Sequence, residues 1–294
     1  MIVITGANGT LGSAVTERLL DLLPTEQWAV SVRDPEQAAV LSERGVRVRR
    51  GDFAEPATLA HAFEGASQVL IVSASALGDS AVDMNLAAVA AAKAAGAERV
   101  LYTSHMGASL TSWFPPMPTH ARSEEALQQS GMKYTALRCG FYTSTILRLL
   151  GDALTTGELV LPEDGPVSWT AHADLADAAV VALTQPDRTD LEGLTPALTA
   201  TAAVDMTGVA EILSELTGRT VRRRVVSDDV YSEGLLARGA PPHAADLLLG
   251  MFRASRQGDF AEVDPTLPRL LGHPPLTVRD VLGAALPSSQ GSPG

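Results

Sequence analysis

Through the first 140 residues, short runs of β-branched and apolar residues alternate with longer stretches in which apolar positions recur at helical spacing. MIVIT (1–5), WAVSV (28–32), VRVRR (46–50), QVLIV (68–72), RVLYTS (99–104) and YTALR (134–138) read as strands. Between them, residues 12–23, 35–44, 56–63, 83–95 and 123–130 read as helices, the alanine-rich 83–95 stopped by Gly96. QVLIV has no polar face, as a strand covered on both sides requires. Strands and helices alternating at this spacing make βαβ units, with right-handed crossovers and a parallel sheet. The predicted fold class is α/β, a doubly wound parallel sheet.

The pattern loosens after that. Helical periodicity returns over 143–154, 174–183, 205–216 and 246–256, with a turn-rich PEDGPVS at 162–168, and PLTVRDVL (275–282) closes the ordered part. The chain thus divides into a doubly wound domain over 1–145 and a smaller C-terminal α/β cap over 146–286 that packs on the sheet. PSSQGSPG, at 287–294, is expected to be a disordered tail. No repeat or low-complexity linker interrupts the chain.

Composition narrows the partners. With 46% hydrophobic residues the chain can bury a large core, and no apolar run reaches the roughly 18 residues that a membrane span needs. Methionine 1 leads into a strand pattern without a basic region, so neither secretion nor membrane attachment is expected. A net charge of -12 repels phosphate backbones, which argues against nucleic acid. The arginines at 47, 49 and 50 and at 222–224 are assigned to outward strand positions. The single cysteine, Cys139, can form no internal disulfide and organise no zinc site, so a cytoplasmic protein without a metal is expected.

The candidate chemistry starts in ITGANGTLGSAV (4–15), where Gly6, Gly9 and Gly12 follow the first strand. At the carboxyl end of that strand, Gly6 permits the turn, Gly9 lets backbone approach a pyrophosphate, and Gly12 lets the following helix pack closely on the sheet. The second strand ends in Arg33, where NAD-specific proteins place an acidic residue. A guanidinium there suits a 2′-phosphate and selects NADPH, although the adjacent Asp34 offers the ribose an alternative partner.

The spacing GxxGxxG resembles that of the extended and atypical short-chain dehydrogenase/reductases. ITGANGTLG, SVRDPEQAAVLSERGVRVRRGDF, AAKAAGAERVLYTS, HARSEEALQQSGMKYTALRCGFY and LLGHPPLTVRDVL follow in that order and resemble the NmrA-like branch, in particular its NAD(P)H:quinone oxidoreductase members. The likeness runs over about residues 1–284 and is most specific in the first 145. It implies a Rossmann domain over 1–145 with a substrate-side region after it. It also adds cofactor contacts from Asn8, Thr10 and Leu11 of the glycine turn, from Asp52 and Phe53, from the strand end Ser73, Ala74 and Ser75, and from Thr103.

The resemblance also shows a departure. Typical members carry a serine or threonine, then a tyrosine and a lysine four residues later, which deliver a proton to a carbonyl. Ser104 fits the first role, but the tyrosine and lysine slots fall near Pro116 and His120. Reducing a ketone makes a strongly basic alkoxide that needs an acid, whereas a quinone yields a far weaker base that water can protonate. Tyr142, His120 and His105 are the remaining candidates for a proton or a hydrogen bond. The loop HMGASLTSWFPPMPT (105–119), carrying Trp113, Phe114 and Met117, is expected to be an apolar substrate lid. The leading expectation is an NADPH-dependent oxidoreductase acting on a small aromatic or conjugated acceptor, with a homodimer admissible. The alternatives are a non-catalytic NADP-binding redox sensor and a tailoring reductase or isomerase of a specialised metabolite.

Overall fold

The computed structural model describes residues 1–185 and 187–286, so the tail expected over 287–294 lies outside the described residues. In chain order the first elements are β1 (Ile2–Thr5), α1 (Thr10–Leu22), β2 (Trp28–Val32), α2 (Ala39–Glu43), β3 (Arg47–Arg50), α3 (Leu59–Ala62), β4 (Gln68–Ile71), α4 (Gly78–Ala94), β5 (Arg99–His105), α5 (Pro116–Gln129) and β6 (Lys133–Cys139). Then come β7 (Phe141–Tyr142), α6 (Ser144–Leu149), α7 (Ala153–Thr156), β8 (Glu158–Pro162), β9 (Trp169–Thr170), α8 (His172–Thr184) and β10 (Gly193–Leu194). The chain ends with α9 (Met206–Thr217), β11 (Arg222–Val226), α10 (Asp228–Ala237), α11 (Pro242–Arg256), α12 (Thr266–Leu271) and α13 (Val278–Ala285).

The chain forms two compact units, and their boundary is not at 145/146. The first contains 1–111, 115–139 and 172–198; the second contains 112–114, 140–171 and the chain from 199 onward. Local pattern could not reveal the return of 172–198, because α8 and β10 join the first unit through tertiary contacts: β10 pairs with β6, and Arg18 on α1 pairs with Asp177 on α8 at 2.6 Å.

In the first unit, seven parallel strands lie in the order β10-β6-β5-β4-β1-β2-β3. The chain winds outward from β1 to β3 and returns to β4 beside β1, so the direction of winding reverses between β1 and β4. In open α/β sheets ligands bind at the carboxyl ends of strands at such a switch. Val3, Ile4, Val69, Leu70, Ile71, Val100 and Leu101 are fully buried, each worth about 1.5–3 kcal/mol over exposure. In the second unit β8 pairs with β11 and β7 with β9, and Phe141 lies 4.9 Å from Phe260 and 5.3 Å from Trp169 between ring centroids.

Several elements depart from the sequence pattern for identifiable reasons. The helix expected at 123–130 begins at Pro116, because prolines in a first turn forfeit no intrahelical hydrogen bond. The loop expected over 105–119 is shortened accordingly. The helix expected over 143–154 is broken into α6 and α7 around Gly151, whose φ is 51°. Arg223 is not an outward residue: its guanidinium is buried and sits 3.2 Å from Asp164. Arg49 likewise turns inward, donating to the carbonyls of Ala62 and Glu64.

Candidate active site

The glycine turn is built by backbone requirements. Gly6 has φ +64°, which favours glycine, and a Cβ there would lie 3.0 Å from Val72 Cβ. Its carbonyl accepts from the amide of Gly9 at 2.9 Å. A Cβ on Gly12 would stand 2.1 Å from that same carbonyl oxygen, so no side chain fits where α1 meets the turn. Gly9 differs: its backbone is extended and its Cβ would lie 3.3 Å from Gly6 O. A Cβ there asks the Gly6 carbonyl to give by a few tenths of an ångström, against the outright overlap at Gly12, and Gly9 lines the space in front of the helix. No side chain caps α1, which leaves its first-turn amides and the positive end of its dipole to an anion.

In front of this turn lies a cleft of about 740 Å³. It is lined by Gly6, Asn8, Gly9, Arg33, Asp52, Phe53, Ser73, Ala74 and Ser75 among the expected cofactor residues. Thr5, Ser31, Asp34, Gln37, Val72 and Met84 also line it. Thr10, Leu11 and Gly12 stand behind the wall in α1, with Leu11 buried. Thr103 does not line it either: its hydroxyl accepts from the amide of Ser73 at 2.9 Å and so holds the strand end that does. The glycine cradle, the uncapped helix and the position at the switch point fit a dinucleotide.

The charge arrangement at the end of β2 separates the two candidates there. Asp34 accepts from the amide of Glu36 at 3.1 Å and from Gln37 Nε2 at 2.9 Å, so its carboxylate is engaged in its own turn. Arg33 is exposed and, among the described residues, makes no hydrogen bond or ion pair. Asp52 accepts from the amide of Ala54 at 2.9 Å, which fixes the GDF turn against the cleft.

The catalytic candidates fall into three environments. Ser104 is buried, and its hydroxyl donates to Glu124 at 2.7 Å. Glu124 in turn receives both arms of Arg138, at 2.9 and 2.6 Å. A serine so committed holds β5 to α5, and it does not line the cleft. His105 accepts from the amide of Gly107 at its Nδ1, 3.1 Å away, and its ring lies 6.1 Å from that of His120. Burial pulls His105 down to about 3, with His120 adding to the effect, and pulls His120 down to about 4. Both imidazoles are therefore neutral at ordinary pH. His120 Nδ1 is 3.0 Å from Tyr102 Oη, and burial keeps that phenol well above its usual range. Tyr102 in turn accepts from Asn85, whose own oxygen holds the cleft-lining amide of Ala74. Sequence reasoning missed Asn85 and Tyr102, because neither lies in a recognisable spacing. Cys139, opposite His105 on β6, is pushed up to about 12 by burial and is an inert thiol.

Tyr142 belongs to the second unit, in β7 paired with Thr170. Three residues of the expected lid belong there too. Ser112 donates to Asp259 at 2.6 Å, Trp113 lies under Arg253 at 5.9 Å, and Phe114 packs on Phe141 and Phe260. This part of the segment is tied down by specific contacts and is not an open flap. Among the described residues no cluster of His, Cys, Asp and Glu could hold a metal ion, and no helix is long and apolar enough to cross a membrane.

Comparison with known proteins points to the same class of cofactor. Residues 6–186 match a family model described as NAD(P)H-binding. Quinone oxidoreductase 2 of Escherichia coli K12 is 32% identical over 281 residues, covering 95% of this chain and 96% of that one. An NmrA-like family domain-containing oxidoreductase of Aspergillus flavus is 28% identical over 291 residues, covering 95% and 93%. The crystal structure of an Escherichia coli NADPH-dependent quinone oxidoreductase in complex with NADPH superposes with a TM-score of 0.90 at 31% identity, covering 97% of this chain and 99% of that one.

Proposed function

Because this chain belongs to the NAD(P)H-binding family, in its NmrA-like oxidoreductase branch, we propose that it reduces a quinone or a similarly conjugated small molecule with NADPH. One observation carries the acceptor class: a chain with a cleft lined by its glycine turn, Arg33 and the strand end Ser73, Ala74 and Ser75 has Pro116 and His120 at the tyrosine and lysine positions. Bound NADPH supplies the hydride, and the acceptor takes up that hydride and one proton to give the quinol. The first-turn amides of α1 and the cradle of Gly6 and Gly9 receive the pyrophosphate. Arg33, at the end of β2, receives the 2′-phosphate and sets the preference for NADPH over NADH. Asp52 and Phe53 meet the adenine side, and Ser73, Ala74 and Ser75 run along the ribose.

Neither histidine is a proton reservoir at neutral pH, since desolvation holds both unprotonated until the solution is acid. A quinone asks little of them, because its reduced oxygen is a weak base that water protonates. The protein's work is then to bind, orient and exclude water, with the hydride chemistry left to the cofactor. Tyr142 is not assigned the role of an acid. The same reading takes the protein to be cytoplasmic, with Cys139 a buried thiol, and admits a homodimer. The test is steady-state NADPH and NADH oxidation against a panel of quinones and simple ketones. Turnover with quinones and NADPH, well above that with ketones, supports the reading; ketone turnover equal to or above quinone turnover would contradict it.

A further inference from the structure

Behind the cofactor-lining loop, a run of hydrogen bonds has one consistent polarity. The amide of Ala74 donates to Asn85 Oδ1 at 3.0 Å, which identifies the oxygen end of that side chain. The nitrogen end then faces Tyr102 Oη at 3.2 Å and Ser123 Oγ at 3.1 Å, donating to both. Ser123 agrees with this direction, because its own proton goes to the carbonyl of Thr119 at 2.9 Å. Tyr102, having accepted from Asn85, has both His120 Nδ1, at 3.0 Å, and the Ser123 hydroxyl beside it, and the imidazole nitrogen, the stronger acceptor, takes its single proton. A neutral imidazole that accepts at Nδ1 carries its proton on Nε2.

We propose that Asn85 and Tyr102 are positioning residues that fix His120 as its Nε2–H tautomer, so that α5 offers a neutral hydrogen-bond donor where related enzymes place an ionised lysine. His120 Nε2 makes no hydrogen bond to any described residue. The donor persists through neutral pH because burial suppresses protonation of the ring. The chain begins at Ala74, which lines the cleft, so one amide side chain serves both the cofactor wall and the imidazole. Its use in catalysis rests on the reading above: a donor that does not release its proton can stabilise charge growing on a quinone oxygen without acting as an acid.

The tautomer can be read without cofactor or acceptor, from long-range proton–nitrogen correlations of protein labelled with ¹⁵N-histidine, the His120 signals being assigned with His120→Gln. The unmodified protein should show His120 protonated on Nε2 alone. In Asn85→Asp the carboxylate still accepts from Ala74 but cannot donate, so Tyr102 turns its proton toward it and His120 must donate from Nδ1. The tautomer should invert. If that variant fails to fold, Tyr102→Phe carries the test: losing one hydrogen bond should raise the Nδ1–H population by about fivefold. An Nδ1–H imidazole in the unmodified protein, or an unchanged tautomer in the folded variant, would overturn the inference. Since no turnover is measured, these outcomes are independent of the acceptor assignment, which fails separately if NADPH is not consumed by quinones.

Discussion

The carboxyl edge of the sheet and the interior between β5 and α5 treat polar groups in opposite ways. At the edge, the first-turn amides of α1 have no side-chain cap and Arg33 has no partner among the described residues. Behind it, Ser104, Glu124 and Arg138 bond to one another, and Ala74, Asn85, Tyr102 and His120 form a second run that ends at His120 Nε2, which makes no hydrogen bond to any described residue. Unsatisfied groups at a cleft await a ligand's charge, whereas the bonded groups behind it spend most of their hydrogen-bonding capacity on holding a geometry. The difference bears on Ser104, which by sequence belongs to the chemistry and in the structure commits its hydroxyl to Glu124.

The contrast can be broken most severely at the glycines. Gly9→Val should leave a folded protein, because its extended backbone accepts a side chain, yet abolish NADPH binding by filling the pyrophosphate space. Gly12→Val, whose Cβ would meet Gly6 O at 2.1 Å, should instead fail to fold stably. Thermal melts with nucleotide-fluorescence titrations distinguish the two, and retained binding in Gly9→Val would reduce the motif to a turn. The next effect falls on Arg33. Arg33→Ala should weaken NADPH by roughly tenfold to a hundredfold, the worth of one charge-assisted pair, and leave NADH nearly unchanged. Equal affinities for both nucleotides in the unmodified protein would transfer the ribose to Asp34.

The interior should announce itself in the dependence of stability on pH. An unfolded histidine titrates near 6.5, whereas His105 and His120 are held to about 3 and about 4 in the fold. Between those values the unfolded chain binds protons that the native protein refuses. The stabilisation is present above pH 6.5 and is lost progressively as pH falls through 4 toward 3. The midpoint of thermal unfolding should drop over that interval, and less steeply in His105→Gln. The smallest effect is expected at Tyr142: Tyr142→Phe should lower kcat with a quinone by less than about tenfold, against the 10² to 10⁴ that a general acid supplies. A collapse of kcat with unchanged cofactor affinity would reveal a dedicated acid.

The same two regions explain what the sequence could reveal. The cleft was legible because a tight turn and a close helix approach demand glycine at fixed spacing, and because Arg33 stands at a predictable strand end. The parallel strands were legible from their apolar runs. The returning segment 172–198 was not, since its place beside β6 depends on partners far along the chain. The start of α5 at Pro116 was hidden by prolines that usually signal a loop. Asn85 and Tyr102 were hidden more thoroughly. Asn85 sits in an alanine-rich helix and Tyr102 in an apolar strand, and only the packing of α4 and α5 on β5 turns them into neighbours of His120.

The most direct test of the account is a single anaerobic turnover, in which the protein is first loaded with one equivalent of NADPH and then mixed with one equivalent of a simple quinone. The account predicts that NADPH absorbance disappears as quinol appears in equal amount, far faster than in a control without protein, and that Gly9→Val abolishes this acceleration. NADPH that stays bound and unoxidised in the presence of the quinone would contradict it and leave a cofactor-binding protein that senses without turnover.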